Sequence, residues 1–253
     1  MHNGSNSTAL PELVCAVCGK RIEGKYLKDF WGNVYHAGHL RSNPSCDYCG
    51  RIISQRSTGG GSTYEDGRHI CAMCKSRAVE DKETGLKILY EARDLLENSG
   101  IVLKPFNPAF SILDRKTLKK HTKSGEEQGF THARKKSDNG GNILELDIRV
   151  FVLHGLPYFA FLATAAHELM HAWIHLNGRN DAKKWLKEGS CNMAAYLVLR
   201  QKRDLKAEYQ IRQMREQRDK VYGKGFRKVH RYVQSHGVTQ WLEVLRKRKS
   251  LLL

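Results

Sequence analysis

Apolar residues recur at helical spacing from Val79 to Ser99, where VEDKETGLKILYEARDLLENS puts Leu86, Leu89, Ala92 and Leu96 on one face and NSG ends the run. Residues 100–113 and 143–153 read as strands, and ILELDIRVFVL alternates with Ile148, Val150 and Val152 on one side. Between them, DRKTLKKHTKSGEEQGFTHARKKSDNGGN is charged and turn-rich, which predicts a surface excursion with a hairpin. After GLP, the apolar run Phe159 to Leu176 has the length of a helix and is closed by Asn177-Gly178. A further helix is predicted from Lys184 to Lys202, and Arg200 to Leu253 reads as mostly basic helix broken at GKG and SHG. Before Val79 the pattern changes. Cys15 to Cys74 carries no long periodic segment, so short strands and turns are expected, with RSTGGGSTYEDGR, Arg56 to Arg68, as a flexible insert. The Gly/Ser/Asn-rich first dozen residues predict disorder.

This change of pattern divides the 253 residues into two domains, 13–76 and 79–253, and the mixture of elements gives an α+β class. The N-terminal MHNGSNSTALPELV holds no apolar signal region, so a cytoplasmic setting is expected. Nor is a membrane span expected: Gly155 and Pro157 interrupt the longest apolar run, Val150 to Leu176. The formal net charge of +17 attracts polyanions in general without defining a site for one.

Six of the seven cysteines fall in Cys-x-x-Cys pairs, a spacing suited to tetrahedral metal. The ladder Cys15, Cys18, His36, His39, then Cys46, Cys49, Cys71, Cys74 divides into two successive four-ligand sites, both closed and therefore structural. His69 lies near the second site, where four cysteines already suffice. This double zinc knuckle resembles a LIM domain, which implies protein binding. One departure is that six residues separate His39 from Cys46 where a typical LIM domain has two, so a looser or bulged joint is expected.

Inside the apolar run, His167, Glu168 and His171 form H-E-x-x-H. On a helix, positions i and i+4 share a face, so both imidazoles can reach one zinc while Glu168 faces the reacting water as general base. The bland alternative is a pair of buried histidines bonded to neighbours. A metzincin continuation is excluded, because Ile174 and Asn177 stand where it needs Gly and His. The third ligand is expected at Glu188, on the next helix, as in gluzincins. Asp181 is its rival, in the turn NGRND, and His175 reads as a surface or supporting residue. Cys191 reads as a packed core thiol near the metal rather than a nucleophile. His230, Tyr232 and Tyr196 are candidate donors to the oxyanion of the tetrahedral intermediate.

The LIM-like module followed by LHGLPYFAFLATAAHELMHAW, KEGSCN and VYGKGFR resembles the plant DAR-type LIM peptidases of the "DA-one" family over about residues 13–245. The resemblance implies a gluzincin-type zinc metallopeptidase domain with a small sheet and several helices. Its zinc would be held by His167, His171 and Glu188, with Glu168 as base, and its substrates would be regulatory proteins. The plant members are activated by ubiquitination. Here no acidic ubiquitin-interacting helix precedes Cys15, so ubiquitin dependence is not part of the expectation, and a compact microbial relative is the plainer reading. The expectation is a zinc endopeptidase with one catalytic and two structural ions and a LIM-like module that recruits or regulates. Two other classes compete: a zinc-stabilised adaptor with a silent peptidase domain, and a nucleic-acid-binding protein resting on charge and zinc knuckles alone.

Overall fold

The computed structural model describes residues 13–103, 108–122, 125–140 and 143–251; the N-terminal stretch expected to be disordered lies outside them. Close contacts divide the chain into two compact units between Ser76 and Arg77.

The first unit repeats one small design. Strands β1 (Tyr26–Lys28) and β2 (Val34–His36) form an antiparallel hairpin followed by the helical turn α1 (His39–Ser42). After α2 (Gln55–Thr58), strands β3 (Gly61–Thr63) and β4 (His69–Cys71) form a second hairpin followed by α3 (Ala72–Lys75). Each half opens with the same tight turn. Cys15 N donates to Lys20 O and Gly19 N to Cys15 O, and likewise Cys46 N to Arg51 O and Gly50 N to Cys46 O. Cys15, Ile22, Tyr35 and Ile52 form a small apolar cluster, with Val17 and Val34 against it. The expected flexible insert is ordered, because Ser54 caps α2 through Ser57 N and the glycines lead straight into a hairpin. The six residues between His39 and Cys46 hold most of α1, so the long joint is a helical turn.

In the second unit, the two-residue strand β5 (Ala78–Val79) leads into α4 (Lys82–Asn98), capped by Asp81 accepting from Thr84 N at 2.8 Å. Next come β6 (Ala109–Leu113), α5 (Arg115–Lys119), β7 (Gly129–Ser137) and β8 (Ile143–Leu153). The sheet order is β6-β8-β7, with β6 parallel and β7 antiparallel to β8. β9 (Leu156–Pro157) pairs with β5, and four helices follow: α6 (Tyr158–Asn177), α7 (Lys184–Arg200), α8 (Leu205–Glu216) and α9 (Gly223–Lys247), the last kinked at Gly237.

α6 is the centre of this unit. It packs on α4, α7 and the sheet, and it buries Phe161, Leu162, Leu169, Met170 and Trp173 almost completely. Burial on several sides explains its nearly continuous apolar sequence. At ~1.5–3 kcal/mol for each fully buried large side chain, this packing fixes the helix more firmly than propensity would. From below, Ile148 and Val150 of β8 meet it, buried as their alternation predicts. The charged stretch before β8 is more than a surface excursion, since β7 packs against α6. No helix among the described residues is long and apolar enough to cross a membrane.

Candidate active site and metal centres

In the first unit the eight ladder residues converge in two groups, Cys15, Cys18, His36 and His39, and Cys46, Cys49, Cys71 and Cys74, with ligand atoms in each within 4.8 Å of one another. Bonds of 2.3 Å to sulfur and 2.0–2.1 Å to nitrogen around tetrahedral zinc put neighbouring ligands about 3.8 Å apart for S···S and about 3.5 Å for S···N. Cys49 Sγ and Cys71 Sγ are 3.7 Å apart, and Cys18 Sγ and His36 Nδ1 are 3.6 Å apart. The residues therefore fit the ion in both places. With Nδ1 turned to the cluster, His36 Nε2 lies 3.2 Å from Arg21 O and donates there, which fixes the ring. Burial alone would raise the Cys15 thiol, yet amides of Cys18, His36 and Val17 directed at its sulfur bring its pKa down to about 6. In the second group, Cys46 is held low because the other three thiols donate to it. His69 stands aside, with Nδ1 at 2.9 Å from Thr63 Oγ1.

In the second unit α6 presents His167 and His171 one turn apart, their rings 5.0 Å between centroids. α7 brings Glu188 to them, with Oε2 3.4 Å from His167 Nε2 and 3.4 Å from His171 Nε2. These distances match the edge of about 3.3 Å between nitrogen and oxygen ligands of tetrahedral zinc. Burial would raise Glu188, but the two imidazoles hold it well below the usual carboxylate range.

Asp181 is elsewhere, in surface ion pairs with Arg179 and Lys249 at 2.8 and 2.9 Å. Cys191 is fully buried close to the two histidines, and burial, with the charges of Glu188 and Glu168, pushes its thiol well up. Its sulfur lies within 4.8 Å of a ring nitrogen of each histidine. His175 does not line the cleft around the histidines, and burial lowers its pKa.

Glu168 is 4% exposed, so its carboxylate needs a partner, and β7 supplies one: Thr131 Oγ1 lies 2.7 Å from Glu168 Oε2 and 2.9 Å from its carbonyl. Only glycine suits position 129, where a Cβ would stand 2.8 Å from Glu168 Cγ and Oε1 and from Thr164 Cγ2. The small residues Gly129, Thr131 and Ala133 on one side of β7 let the strand lie close to α6. A similar approach joins α7 to α9, because a Cβ on Gly189 would meet Gly225 C at 2.4 Å. This fixes the turn of α7 that carries Glu188.

His167 Nδ1 lies 2.9 Å from Asn192 Oδ1, an acceptor that turns Nε2 toward Glu188. Asn192 Nδ2 in turn donates to Tyr222 O at 3.4 Å. Asn192→Ala is expected to weaken metal binding at this site by about 10–100-fold with the fold intact, as a chelator competition titration would show. Unchanged affinity would remove Asn192 from the site.

The histidines and Glu188 stand in a cleft of about 1070 Å³ whose walls include Gly129, Thr131, Thr164, Lys187, Asn192 and Tyr222. The three oxyanion donors suggested by sequence are not among its lining residues. Tyr196 lies eight residues past Glu188, about 12 Å along α7, and its ring packs on Phe226 and His230. Tyr232 is 8% exposed and stacks on His236. Sequence reading missed Gly129, Thr131, Asn192 and Tyr222. Of these, only Asn192 left a local signal, one helical turn beyond Glu188.

A family model described as "DA1-like: Protein DA1" matches residues 113–207, a span that holds the two histidines, Glu168, Glu188 and Asn192. "Protein DA1-related 6" of Arabidopsis thaliana is 25% identical over 220 residues, 74% of this chain and 34% of that protein. "LIM domain-containing protein HDR3" of Oryza sativa subsp. japonica is 26% identical over 201 residues, 67% of this chain and 39% of its own. "Protein DA1" of Arabidopsis thaliana is 25% identical over 198 residues, 66% of this chain and 36% of its own. The chain is similar to the DA1 family over this span.

It spans about a third to a half of the length of the curated relatives it matches, from 34% to 47%. No solved structure matches it. The chain is of mixed helix and small sheets, and its Cys/His clusters, suited to zinc, form a LIM-like module ahead of the DA1-like region.

Proposed function

We propose that this DA1 relative is a zinc-dependent endopeptidase acting on protein substrates in the cytoplasm, with one catalytic ion and two structural ions. The LIM-like module, residues 13–76, serves protein interaction or regulation beside a catalytic domain formed by residues 79–253. One observation carries the reading: a carboxylate oxygen lies 3.4 Å from both H-E-x-x-H imidazoles, with the intervening glutamate held in the same cleft.

His167, His171 and Glu188 would hold the zinc, which when bound would supply Lewis acidity for the scissile carbonyl and the attacking water. Everything else falls to the chain. Glu168, held through Oε2 by Thr131, takes the water proton at its other oxygen and passes it to the leaving nitrogen. Asn192 holds the His167 ring in the tautomer that leaves Nε2 free to ligate. β7 lies at the edge of its sheet, and Gly129 to Thr131 line the cleft, so an extended peptide can add alongside it with its backbone hydrogen-bonded.

Elemental analysis of the wild type and Glu188→Ala, combined with hydrolysis of fluorescent casein, tests this. Three zincs in the wild type, two in the variant, and cleavage by the wild type alone are expected. A fully loaded wild type that cleaves neither casein nor a mixed peptide library would return the adaptor reading. Retention of three zincs in Glu188→Ala would remove Glu188 from the ligand set.

A further inference from the structure

We infer that Tyr222 is a catalytic residue of this cleft, its phenol donating a hydrogen bond to the oxyanion formed at the scissile carbonyl; the inference rests on the peptidase reading above. Among the described residues Tyr222 is the one tyrosine lining the cleft that holds His167, Glu168, His171 and Glu188.

Several other donors of the cleft are already engaged. Asn192 is committed through both ends of its amide, to His167 and to Tyr222 O. Thr131 donates to Glu168, and Lys187 Nζ donates to Asn180 O at 3.1 Å. Among the described residues no hydrogen bond is made by the Tyr222 hydroxyl, and the oxygen is not sealed from the cleft.

The backbone that carries the ring is held at several points. Tyr222 N donates to Asp219 Oδ1 at 2.7 Å, while its carbonyl accepts from Phe226 N at 2.9 Å and from Asn192. Three residues on, Gly225 is locked against Gly189, the neighbour of Glu188. Tyr222 and the ligand His167 therefore share one mount, Asn192. A donor fixed in this way loses little reorganisation energy as charge develops, which is the condition for oxyanion stabilisation. Burial, then the charges of Glu188, Glu127 and Glu168, push the phenol up to about 12, so it stays protonated at neutral pH.

The step balances as follows. The water oxygen bonds to the carbonyl carbon, the C=O π pair moves onto oxygen, and Glu168 takes the water proton. Tyr222 donates a hydrogen bond to that oxygen and keeps its proton. When the C–N bond breaks, its electron pair leaves with nitrogen, which takes the proton from Glu168, and the carbonyl reforms.

Tyr222→Phe retains the ring and is expected to hold wild-type zinc. Its kcat on a peptide substrate should fall about 10²–10³-fold with KM little changed. The affinity of the zinc-loaded protein for a phosphonamidate peptide, which mimics the tetrahedral species, should fall in parallel by calorimetry. Tyr196→Phe should leave both unchanged. If Tyr222→Phe turns over substrate and binds the phosphonamidate as the wild type does, the inference is overturned while the peptidase reading stands. If the wild type neither cleaves nor binds, the peptidase reading fails and the inference falls with it.

Discussion

Glu168→Gln is expected to leave three zincs in place and to lower hydrolysis by at least the factor of about 10²–10⁴ that a general base contributes. The substitution is nearly isosteric, and the amide oxygen can still accept the Thr131 hydroxyl that now binds Oε2 at 2.7 Å. The walls of the cleft, Gly129 and Thr164 included, therefore need not move. What is lost is the carboxylate that, on the peptidase reading, would carry the proton from water to amine. Stability should not suffer, because the change removes a charge from a site that is only 4% exposed. Zinc content, melting temperature and kcat measured on one preparation separate these effects. Wild-type turnover in the purified variant would reject Glu168 as the base, whereas simultaneous loss of zinc and activity would mean that the residue holds the metal site together.

Removal of metal from the LIM-like module is expected to have the other large effect. The apolar cluster of Cys15, Ile22, Tyr35 and Ile52 is small, and a unit of this size buries too little apolar surface to fold without a staple. A structural zinc contributes on the order of 10–16 kcal/mol to such a module at neutral pH. Chelation, or Cys46→Ser in the second knuckle, is therefore expected to abolish protection of backbone amides in the hairpins β1–β2 and β3–β4. In Cys46→Ser, amides of α6 and α7 should keep their slow exchange, because the packing around Phe161, Leu169 and Trp173 contains none of these cysteines. Hydrogen exchange read segment by segment in the whole chain tests this. Slow exchange retained across residues 26–36 and 61–71 after complete metal removal would show that the module folds without its ions.

The sequence by itself determined whatever a single local element carries. Two histidines one helical turn apart, and cysteines two residues apart in a tight turn, are set in place by backbone geometry alone. This is why the H-E-x-x-H face and both four-ligand groups were legible. The apolar run of α6 and the alternation of β8 were legible for a related reason, since burial imposes its own period on the residues.

β7 was not readable as a cleft strand. Close approach to α6 demanded Gly129, Thr131 and Ala133 in place of large apolar residues, and the Lys/Arg-rich remainder of the strand reads as surface. Tyr196 and His230 look as plausible in sequence as any other donor, but the helix rise sets Tyr196 two turns beyond Glu188, with the His230 ring packed against it. Tyr222 lies before α9 in a basic stretch with no period to mark it. Only the tertiary structure decided that Asn192 bridges His167 to Tyr222, because the three residues come from separate elements and meet only when α6, α7 and the start of α9 are packed together.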